Sequence, residues 1–351
     1  MRPVNASPAR SGRRLSTLAL LGTATALVVA SCSSTSKTTS TSASTSLAAP
    51  TSIVVQAGAN DQPGTSVAVL QFMPATVNVV VGTPVNWSWA GDIEPHSVTF
   101  TRPGQQLPPP GDPSVFGPTP ATGPYDGTTF VNSGLQPLGP AGAKPFSLTF
   151  AKAGTYTYHC VIHPNMVGHV VVAPAGGSAD TAASVAARMA SEKATWVAEG
   201  RAAAHALAAT SPAGTKNPDG TTTWRVKMGA STPHTDILAF APVPVAVKAG
   251  DKVQFVNDSG APHTASFFGT TPPILNPTDP RTDKPAPGPS PQKLSLTGFF
   301  NTGLLPPNAP PGTGPPLAAR SFTFIVPAAG TYTYQCILHA SSGMAGQIAA
   351  T

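Results

Sequence analysis

The stretch GTYTYHCVIHPNM at residues 154–166 returns late in the chain as GTYTYQCILH at residues 330–339, with Met344 five residues further on. Each copy begins with the alternating threonines and tyrosines that are typical of a β-strand. Each then supplies a cysteine, a histidine and a methionine within nine residues. A second histidine stands far upstream of each copy in a Pro-His pair, as His96 and His263. The chain therefore carries the same four chemical groups twice, which indicates two related domains.

Two histidines, one cysteine and one weakly bonding methionine form the ligand set that holds a single copper ion in a blue-copper site. The thiolate and the imidazoles select copper over hard cations, and the long methionine bond leaves a geometry between those that Cu(I) and Cu(II) prefer. The sequence therefore predicts two copper ions per chain. The predicted ligands are His96, Cys160, His163 and Met166 for the first ion, and His263, Cys336, His339 and Met344 for the second.

Both halves of the chain resemble the cupredoxins, the group of small copper proteins that includes plastocyanin, amicyanin and azurin. The loop 160–166 is similar to the short amicyanin-type loop, with two residues between histidine and methionine, whereas the loop 336–344 is similar to the plastocyanin-type loop, with four. The resemblance implies an all-β fold of two Greek-key cupredoxin β-sandwich domains joined by an α-helical linker. It also implies two type 1 copper sites that act in one-electron transfer, with unequal reduction potentials because the loops differ in length.

The resemblance carries two further expectations about the surroundings of the sites. In the family, the histidine on the cysteine loop, here His163 or His339, lies near the surface and passes electrons to partners through an apolar patch. The small residues 340–343 would leave His339 lightly covered. The asparagine that braces the cysteine loop in the family is matched by Asn257, whereas Trp89 stands at that place in the first half. We therefore expect the outer partners of the two sites to differ.

The repeat extends over whole domains beyond the metal loops. Residues 240–247 match 72–79, residues 321–324 match 147–150, and residues 300–304 match 131–135. Charged residues make up only 10% of the chain, while prolines number 41 and glycines 33, which favours strands joined by turn-rich loops over a helical protein. The sequence therefore predicts a first cupredoxin domain at residues 53–174 and a second at residues 221–351.

The predicted linker, residues 175–220, has a different composition. From residue 178 to about residue 209 the chain is rich in alanine and lacks proline. Val185, Trp196 and Leu207 fall at roughly helical spacing there. A narrow apolar stripe of this kind is expected to pack on a neighbouring domain.

The start of the chain has the features of an export signal. Residues 1–31 contain four arginines followed by an apolar core, which predicts a signal peptide. The end of this core resembles the lipobox of bacterial lipoproteins, which implies lipidation of Cys32; the alternative is an ordinary secretory signal with Cys32 incidental. Residues 32–52, rich in serine, threonine and alanine, are predicted to form a flexible tether. We therefore expect an exported protein, lipid-anchored to the membrane on its cell-surface or periplasmic side.

The charge of the chain and its cysteines limit the remaining partners. Removing the signal peptide lowers the net charge from +6 to about +2, and no basic patch interleaved with aromatic residues remains. The sequence therefore predicts no nucleic-acid partner. A disulfide between Cys160 and Cys336 is the structural alternative to two metal sites, although their equivalent positions in the repeat favour ligand roles.

Three classes of function remain open at this point. The favoured class is an electron carrier that works with an unknown redox partner protein. Copper storage or delivery at the cell surface uses the same ligands, although the chain has no methionine-rich or histidine-rich tract. A multicopper oxidase or nitrite reductase needs additional ligands; His159 offers the His-Cys pair found in such enzymes, but no His-x-His motif occurs. A carrier or copper-binding protein is therefore favoured over an enzyme.

Overall fold

The computed structural model describes residues 52–62, 65–92, 94–109, 112–136, 142–270, 282, 284–308 and 315–351. The predicted signal peptide, Cys32 and most of the predicted tether lie outside these residues. The described regular structure is mostly β-strand, with one long α-helix, so the expected all-β fold is confirmed. Among the described residues, no helix combines the length and the apolar character needed to cross a membrane.

The strands fall into two groups on either side of the helix. Those before it are β1 (Ile53–Asn60), β2 (Val67–Met73), β3 (Thr76–Val80), β4 (Pro84–Ser88), β5 (Thr99–Phe100), β6 (Val131–Asn132), β7 (Phe146–Thr149), β8 (Gly154–His159) and β9 (Val167–Ala173). The helix is α1 (Ala182–Ala208). Those after it are β10 (Ala213–Lys216), β11 (Thr222–Ser231), β12 (Thr235–Ala241), β13 (Val245–Val247), β14 (Lys252–Asn257), β15 (Ser266–Phe267), β16 (Pro285–Ala286), β17 (Gln292–Lys293), β18 (Phe300–Thr302), β19 (Ser321–Ile325), β20 (Gly330–Gln335) and β21 (Ala345–Ala350).

The strands form where buried and less buried residues alternate. In β9, Gly168, Val170 and Val172 are buried, and the residues between them are only partly covered. Strand β19 behaves in the same way, with Phe322 and Phe324 buried. Because successive side chains of a strand point to opposite faces, each of these strands turns one face to a core and the other toward solvent.

Each group of strands makes a two-sheet sandwich. The first sandwich (residues 52–173) has a sheet in the order β3-β9-β8-β5-β6, and the second sandwich (residues 213–351) has a sheet in the order β13-β21-β20-β15-β18-β16. The opposing sheets of both sandwiches are one continuous sheet, in the order β17-β19-β14-β11-β12-β2-β1-β4-β7 with β10 beside β11. The two sandwiches are therefore joined by strand pairing as well as by the helical connection that the sequence predicts.

Two buried aromatic clusters hold the strands that lead to the predicted metal loops. In the first sandwich, the ring of Tyr158 lies 5.3 Å from Trp87 and 5.1 Å from Phe100. In the second, the ring of Tyr334 lies 4.9 Å from Phe255. Each tyrosine is two residues ahead of a cysteine and is almost completely buried. Because buried aromatic side chains contribute much of the energy of a core, this packing holds the end of each cysteine strand in place.

The junction between the sandwiches lies where β2 and β12 run antiparallel. Val69 pairs with Thr235, and Ala68 pairs with Asp236. Residues 72–79 and 240–247 are equivalent in the sequence repeat, so Ala68 and Asp236 are equivalent too. Because the pair consists of equivalent positions, an approximate two-fold axis relates the sandwiches at this point.

Helix α1 packs across this junction. It begins at a capping box in which Thr181 and Ser184 satisfy each other's backbone N–H groups. Val185, Val197 and Leu207 are buried against the sheet, as the sequence predicts for an apolar stripe. A Cβ atom on Gly200 would lie 2.5 Å from Val67, so the absence of a side chain there lets the helix approach β2 closely.

The described residues form one compact unit, and the predicted domain boundaries at residues 174 and 220 stay predictions.

Candidate metal centres

The first predicted site brings together residues that are far apart in the sequence. His96 precedes β5, Cys160 directly follows β8, and His163 lies on the loop between β8 and β9. Nδ1 of His96 lies 2.9 Å from Nδ1 of His163, and Sγ of Cys160 lies 3.9 Å and 3.5 Å from these two nitrogens. All three residues are buried, and their donor atoms lie within 4.8 Å of one another.

The second predicted site repeats this geometry closely. Nδ1 of His263 lies 2.9 Å from Nδ1 of His339, and Sγ of Cys336 lies 3.8 Å and 3.4 Å from them. These three residues are also buried, with their donor atoms within 4.8 Å. Both cysteines are free thiols, so the alternative of a Cys160–Cys336 disulfide is wrong.

The two predicted methionines are completely buried and close their loops. The N–H of Cys160 donates to the carbonyl of Met166 at 3.0 Å, and the N–H of Cys336 donates to that of Met344 at 2.9 Å. Each methionine belongs to the same buried cluster as its cysteine. This position suits an axial ligand and also fills the core, so the role of the methionines as ligands stays a prediction.

The pKa of each thiol is shifted toward the thiolate form, which is the form that binds metals. Burial by itself raises the pKa of Cys160, but the charge of His163 and hydrogen bonds from both histidines hold it well below its ordinary value. Burial likewise raises the pKa of Cys336, and the charge and hydrogen bond of His339 lower it overall. Because the thiolate is the metal ligand, both sites are prepared for a soft cation.

The residue after each first histidine braces the cysteine loop, which the sequence analysis did not anticipate. The N–H of Ser97 donates to Sγ of Cys160 at 3.4 Å, and the Ser97 hydroxyl accepts from the N–H of Val161 at 3.0 Å. Thr264 makes the same two contacts with Cys336 and Ile337, at 3.4 Å and 2.9 Å. The shared pattern of Pro-His followed by serine or threonine is the sequence signal that could have revealed this role.

The outer nitrogens of the first histidines have different partners. Nε2 of His96 lies 2.7 Å from a carboxylate oxygen of Asp92, and Nε2 of His263 lies 2.7 Å from the hydroxyl of Ser259. Burial opposes protonation of His96, but the Asp92 charge and hydrogen bond raise its pKa to about 10. Burial and the charge of His339 hold the pKa of His263 well below its ordinary value. The expected difference between the outer partners is therefore present.

Two glycines lie directly against these histidines, and the sequence alone did not reveal their role. Gly58 and Gly229 occupy the bulges of β1 and β11, with φ angles of +66° and +80°. A Cβ atom on Gly58 would overlap the carboxylate of Asp92 and the ring of His96. A Cβ atom on Gly229 would lie 2.9 Å from Nε2 of His263. A glycine in a strand often marks a bulge or a close approach, and both apply here.

Asn257 braces a different loop from the cysteine loop that the resemblance implies. Asn257 donates from Nδ2 to the carbonyls of Ala261 at 2.9 Å and Leu305 at 3.1 Å. Its Oδ1 accepts from the hydroxyl of Ser259 at 3.0 Å. These contacts brace the loop that carries His263, while Thr264 braces the cysteine loop. In the first sandwich, Trp89 is buried in the core at the corresponding place.

The expectation that His339 is lightly covered is wrong, and His163 is buried as well. The exposed fractions are only 6% for His163 and 4% for His339. Nε2 of His339 lies 3.2 Å from a carboxylate oxygen of Glu94, which belongs to the first sandwich. Burial raises the pKa of Glu94, but the charge and hydrogen bond of His339 lower it overall. Each sandwich covers a histidine of the other because the shared sheet brings their metal loops together.

A small cavity lies beside His163 at the same junction. Its volume is about 40 Å³, and its lining includes Asn165 from the first sandwich and Thr232, Asp236 and Gly260 from the second. Asp236 is completely buried. The loop histidine of the first site therefore faces the second sandwich, as His339 faces the first.

The other histidines lie outside the two clusters. His159 is on β8 and pairs with Thr99 and Val167 in the sheet. His234 stacks on Trp196 with ring centroids 4.9 Å apart. Among the described residues, three or more side chains that could bind a metal come together only in the two His/Cys/His clusters.

Comparison with known proteins gives a matching family. Residues 59–173 match the family model described as copper binding proteins of the plastocyanin/azurin family. Similar solved structures include a mutant amicyanin with Cu(I), at 27% identity over 35% of this chain and 82% of that chain, with a TM-score of 0.21. A mutant fern plastocyanin is similar at 23% identity over 36% of this chain and 99% of that chain, with a TM-score of 0.22. Residues 59–173, which make up most of the first sandwich, are therefore similar to the plastocyanin/azurin family of copper binding proteins.

Proposed function

We propose that this protein is an exported, membrane-tethered electron carrier with two type 1 copper sites. The observation that carries the proposal is the convergence of one thiol and two imidazole nitrogens, twice, inside buried pockets. The cupredoxin match of residues 59–173 supports copper as the metal. The predicted signal peptide, with Cys32 at its end, supports the membrane tether.

Copper fits the donor atoms of both sites. A soft thiolate with two imidazoles suits copper better than a hard cation such as magnesium or calcium. His96, Cys160 and His163 would hold the first ion, and His263, Cys336 and His339 the second. The methionines of the two loops, Met166 and Met344, would complete the two ligand sets. Bound copper supplies a one-electron couple between its cuprous and cupric states.

The protein's own contribution is to hold the ligands still. Ser97 and Thr264 fix the cysteine loops by hydrogen bonds that are buried at both ends. The imidazoles of His96 and His263 are oriented through Nε2 by Asp92 and Ser259. Ligands that are locked by packing and by outer hydrogen bonds keep their geometry when the charge of the metal changes. Such a pocket suits electron transfer with little rearrangement.

The full exported protein, treated with Cu(II), tests the proposal. We expect an intense thiolate-to-copper absorption band, two bound coppers per chain and two narrow-hyperfine paramagnetic resonance signals. Cys160→Ser and Cys336→Ser should each remove one copper and one signal. A colourless protein would contradict the copper assignment.

The same preparation separates the other classes of function. Reversible one-electron oxidation and reduction of both sites is the result expected for a carrier. Rapid transfer of copper to an apo-acceptor, without a reversible couple, would favour storage or delivery. A third bound copper with a type 2 signal would favour an oxidase or a nitrite reductase.

A further inference from the structure

A carboxylate of the first sandwich reaches into the second predicted site. Glu94 stands two residues before His96, on the loop that supplies the first site. Its Oε2 lies 3.2 Å from Nε2 of His339, and its Oε1 accepts from the Ser342 hydroxyl at 2.8 Å. Both contacts are to the short turn that follows Cys336. The second site is therefore in direct contact with the loop that carries the first.

The burial of this contact makes it more than a surface ion pair. Glu94 is 3% exposed and His339 is 4% exposed. A buried carboxylate is costly unless it is paired and hydrogen-bonded. Here each oxygen has one partner, and the partner of Oε2 is a predicted metal ligand. Removing the Glu94 carboxylate would leave the outer nitrogen of the His339 ring without its charged partner.

The contact is not a simple product of the repeat. Glu94-Pro95-His96 corresponds to Ala261-Pro262-His263, so an alanine stands where a second glutamate would be required. The approximate two-fold axis therefore gives His163 no equivalent carboxylate from Ala261. The acid of the second sandwich that lies near His163 is Asp236, which shares the small cavity with it but has its hydrogen bonds with Ser231 and Gly260.

We propose that Glu94 is a positioning residue of the second copper site, supplied by the sandwich that carries the first site. This inference rests on the proposed function. If a metal ion took Nδ1 of His339, the remaining ring proton would lie on Nε2, which is 3.2 Å from Oε2 of Glu94. The carboxylate then fixes the plane of the ring, and its negative charge favours the cupric over the cuprous ion. The second site should bind Cu(II) more tightly and have a lower reduction potential than it would without Glu94.

The test uses the full-length Cys160→Ser protein, in which only the second site can form a copper–thiolate bond. Glu94→Gln is added to this background because it keeps the size of the side chain and removes the charge. We expect Cu(II) affinity to fall by roughly tenfold to a hundredfold, the midpoint potential to rise, and the copper hyperfine splitting to change. Ser342→Ala removes the other contact of Glu94 and should shift the same quantities by less.

Asp126→Asn is the matched control. Asp126 is an acid of the first sandwich that pairs with Lys152 at the surface, so its loss should leave the second site unchanged. Circular dichroism and thermal unfolding check that each variant is folded. If Glu94→Gln fails to fold, the Ser342→Ala result decides the question, and an unchanged second site there would overturn the proposal.

Failure of the proposed function and failure of the role of Glu94 give different results in this test. A Cys160→Ser parent without a charge-transfer band would overturn the proposed function, and this inference with it. A parent with a normal band, together with a Glu94→Gln variant of identical spectrum, affinity and potential, would overturn the role of Glu94 alone.

Discussion

Ala68 and Asp236 pair across the antiparallel junction of β2 and β12, and they are the same position of the sequence repeat. This single pair places the approximate two-fold axis of the molecule. It also explains why the loop histidines are covered, because the pairing places Glu94 of the first sandwich against His339 and residues 231–236 of the second sandwich beside His163. The chain therefore contains the same fold twice, and both predicted sites lie near the junction of the two sandwiches.

The raised pKa of Asp236, which lies at this pair, predicts that the stability of the fold depends on pH. Burial raises the pKa of Asp236 above its ordinary value of 3.8, although hydrogen bonds from Ser231 and from the N–H of Gly260 oppose the shift. A group with a raised folded-state pKa contributes stability below its unfolded pKa, and this contribution is lost as the pH rises through the folded value. We expect Asp236→Asn to gain stability relative to the parent as the pH rises, measured by thermal unfolding from pH 4 to pH 8.

Asp126→Asn serves as the control for the Asp236 prediction. The hydrogen bonds of Thr128 and the nearby Lys152 lower the pKa of Asp126 to about 2, so its contribution is present at neutral pH and is lost on acidification. The Asp126 variant should therefore show no gain as the pH rises. Parallel pH profiles for the parent and Asp236→Asn would contradict the prediction.

Gly58→Ala should abolish the first copper site and spare the second. The added Cβ would overlap Asp92 and His96, and the left-handed backbone itself costs about 1–2 kcal/mol for an alanine. Gly82 has a comparable φ of +84° and nothing within 4 Å of its Cβ position. Gly82→Ala should therefore destabilise the fold by a similar backbone cost but retain both resonance signals. Equal loss of the first signal in both variants would argue against the steric explanation.

Ser97→Ala should loosen the first cysteine loop. The change leaves the buried N–H of Val161 without the acceptor that the hydroxyl supplies at 3.0 Å, at an expected cost of about 1–3 kcal/mol in unfolding free energy. Ser97→Thr keeps the hydroxyl, as Thr264 does in the second site, and should retain most of the stability. Denaturant unfolding with the resonance spectrum of the first site checks both. Equal stability of the alanine variant and the parent would contradict the bracing role.

Gly200→Ala should destabilise the junction, although alanine is normally about 1 kcal/mol better than glycine inside a helix. The new Cβ would lie 2.5 Å from Val67 and 3.1 Å from Thr235, so the helix must move away from the sheet. Overpacking of this kind costs about 1–3 kcal/mol. Thermal unfolding measures the balance, and a raised melting temperature would show that the helix accommodates the methyl group without loss.

Much of this architecture was predictable from local patterns. The alternating threonines and tyrosines predicted the strands that lead to the two cysteines, which are β8 and β20. The alanine-rich stretch predicted α1, which begins at Ala182 and ends at Ala208. The spacing of Cys160, His163, Cys336 and His339 placed two ligands of each site on one loop, because residues three apart on a tight turn are neighbours in any fold.

The bulge glycines were less accessible to sequence reasoning. Gly58 and Gly229 have no local signature beyond a glycine inside a strand, and their importance comes from a histidine that approaches from a distant loop. The hydroxyls of Ser97 and Thr264 were visible as a repeated pattern, but only the folded loops show which N–H groups they accept from.

The sequence by itself determined the two sandwiches and the chemistry of their pockets, because strand periodicity and ligand spacing are properties of short segments. Only the tertiary structure decided that β2 pairs with β12, that His163 and His339 are covered, and that Glu94 contacts the opposite site. Those features depend on the relative placement of two sandwiches whose own sequences are each consistent with an exposed histidine. They rest on contacts between residues more than 200 positions apart in the chain, such as the hydrogen bond from Ser342 to Glu94.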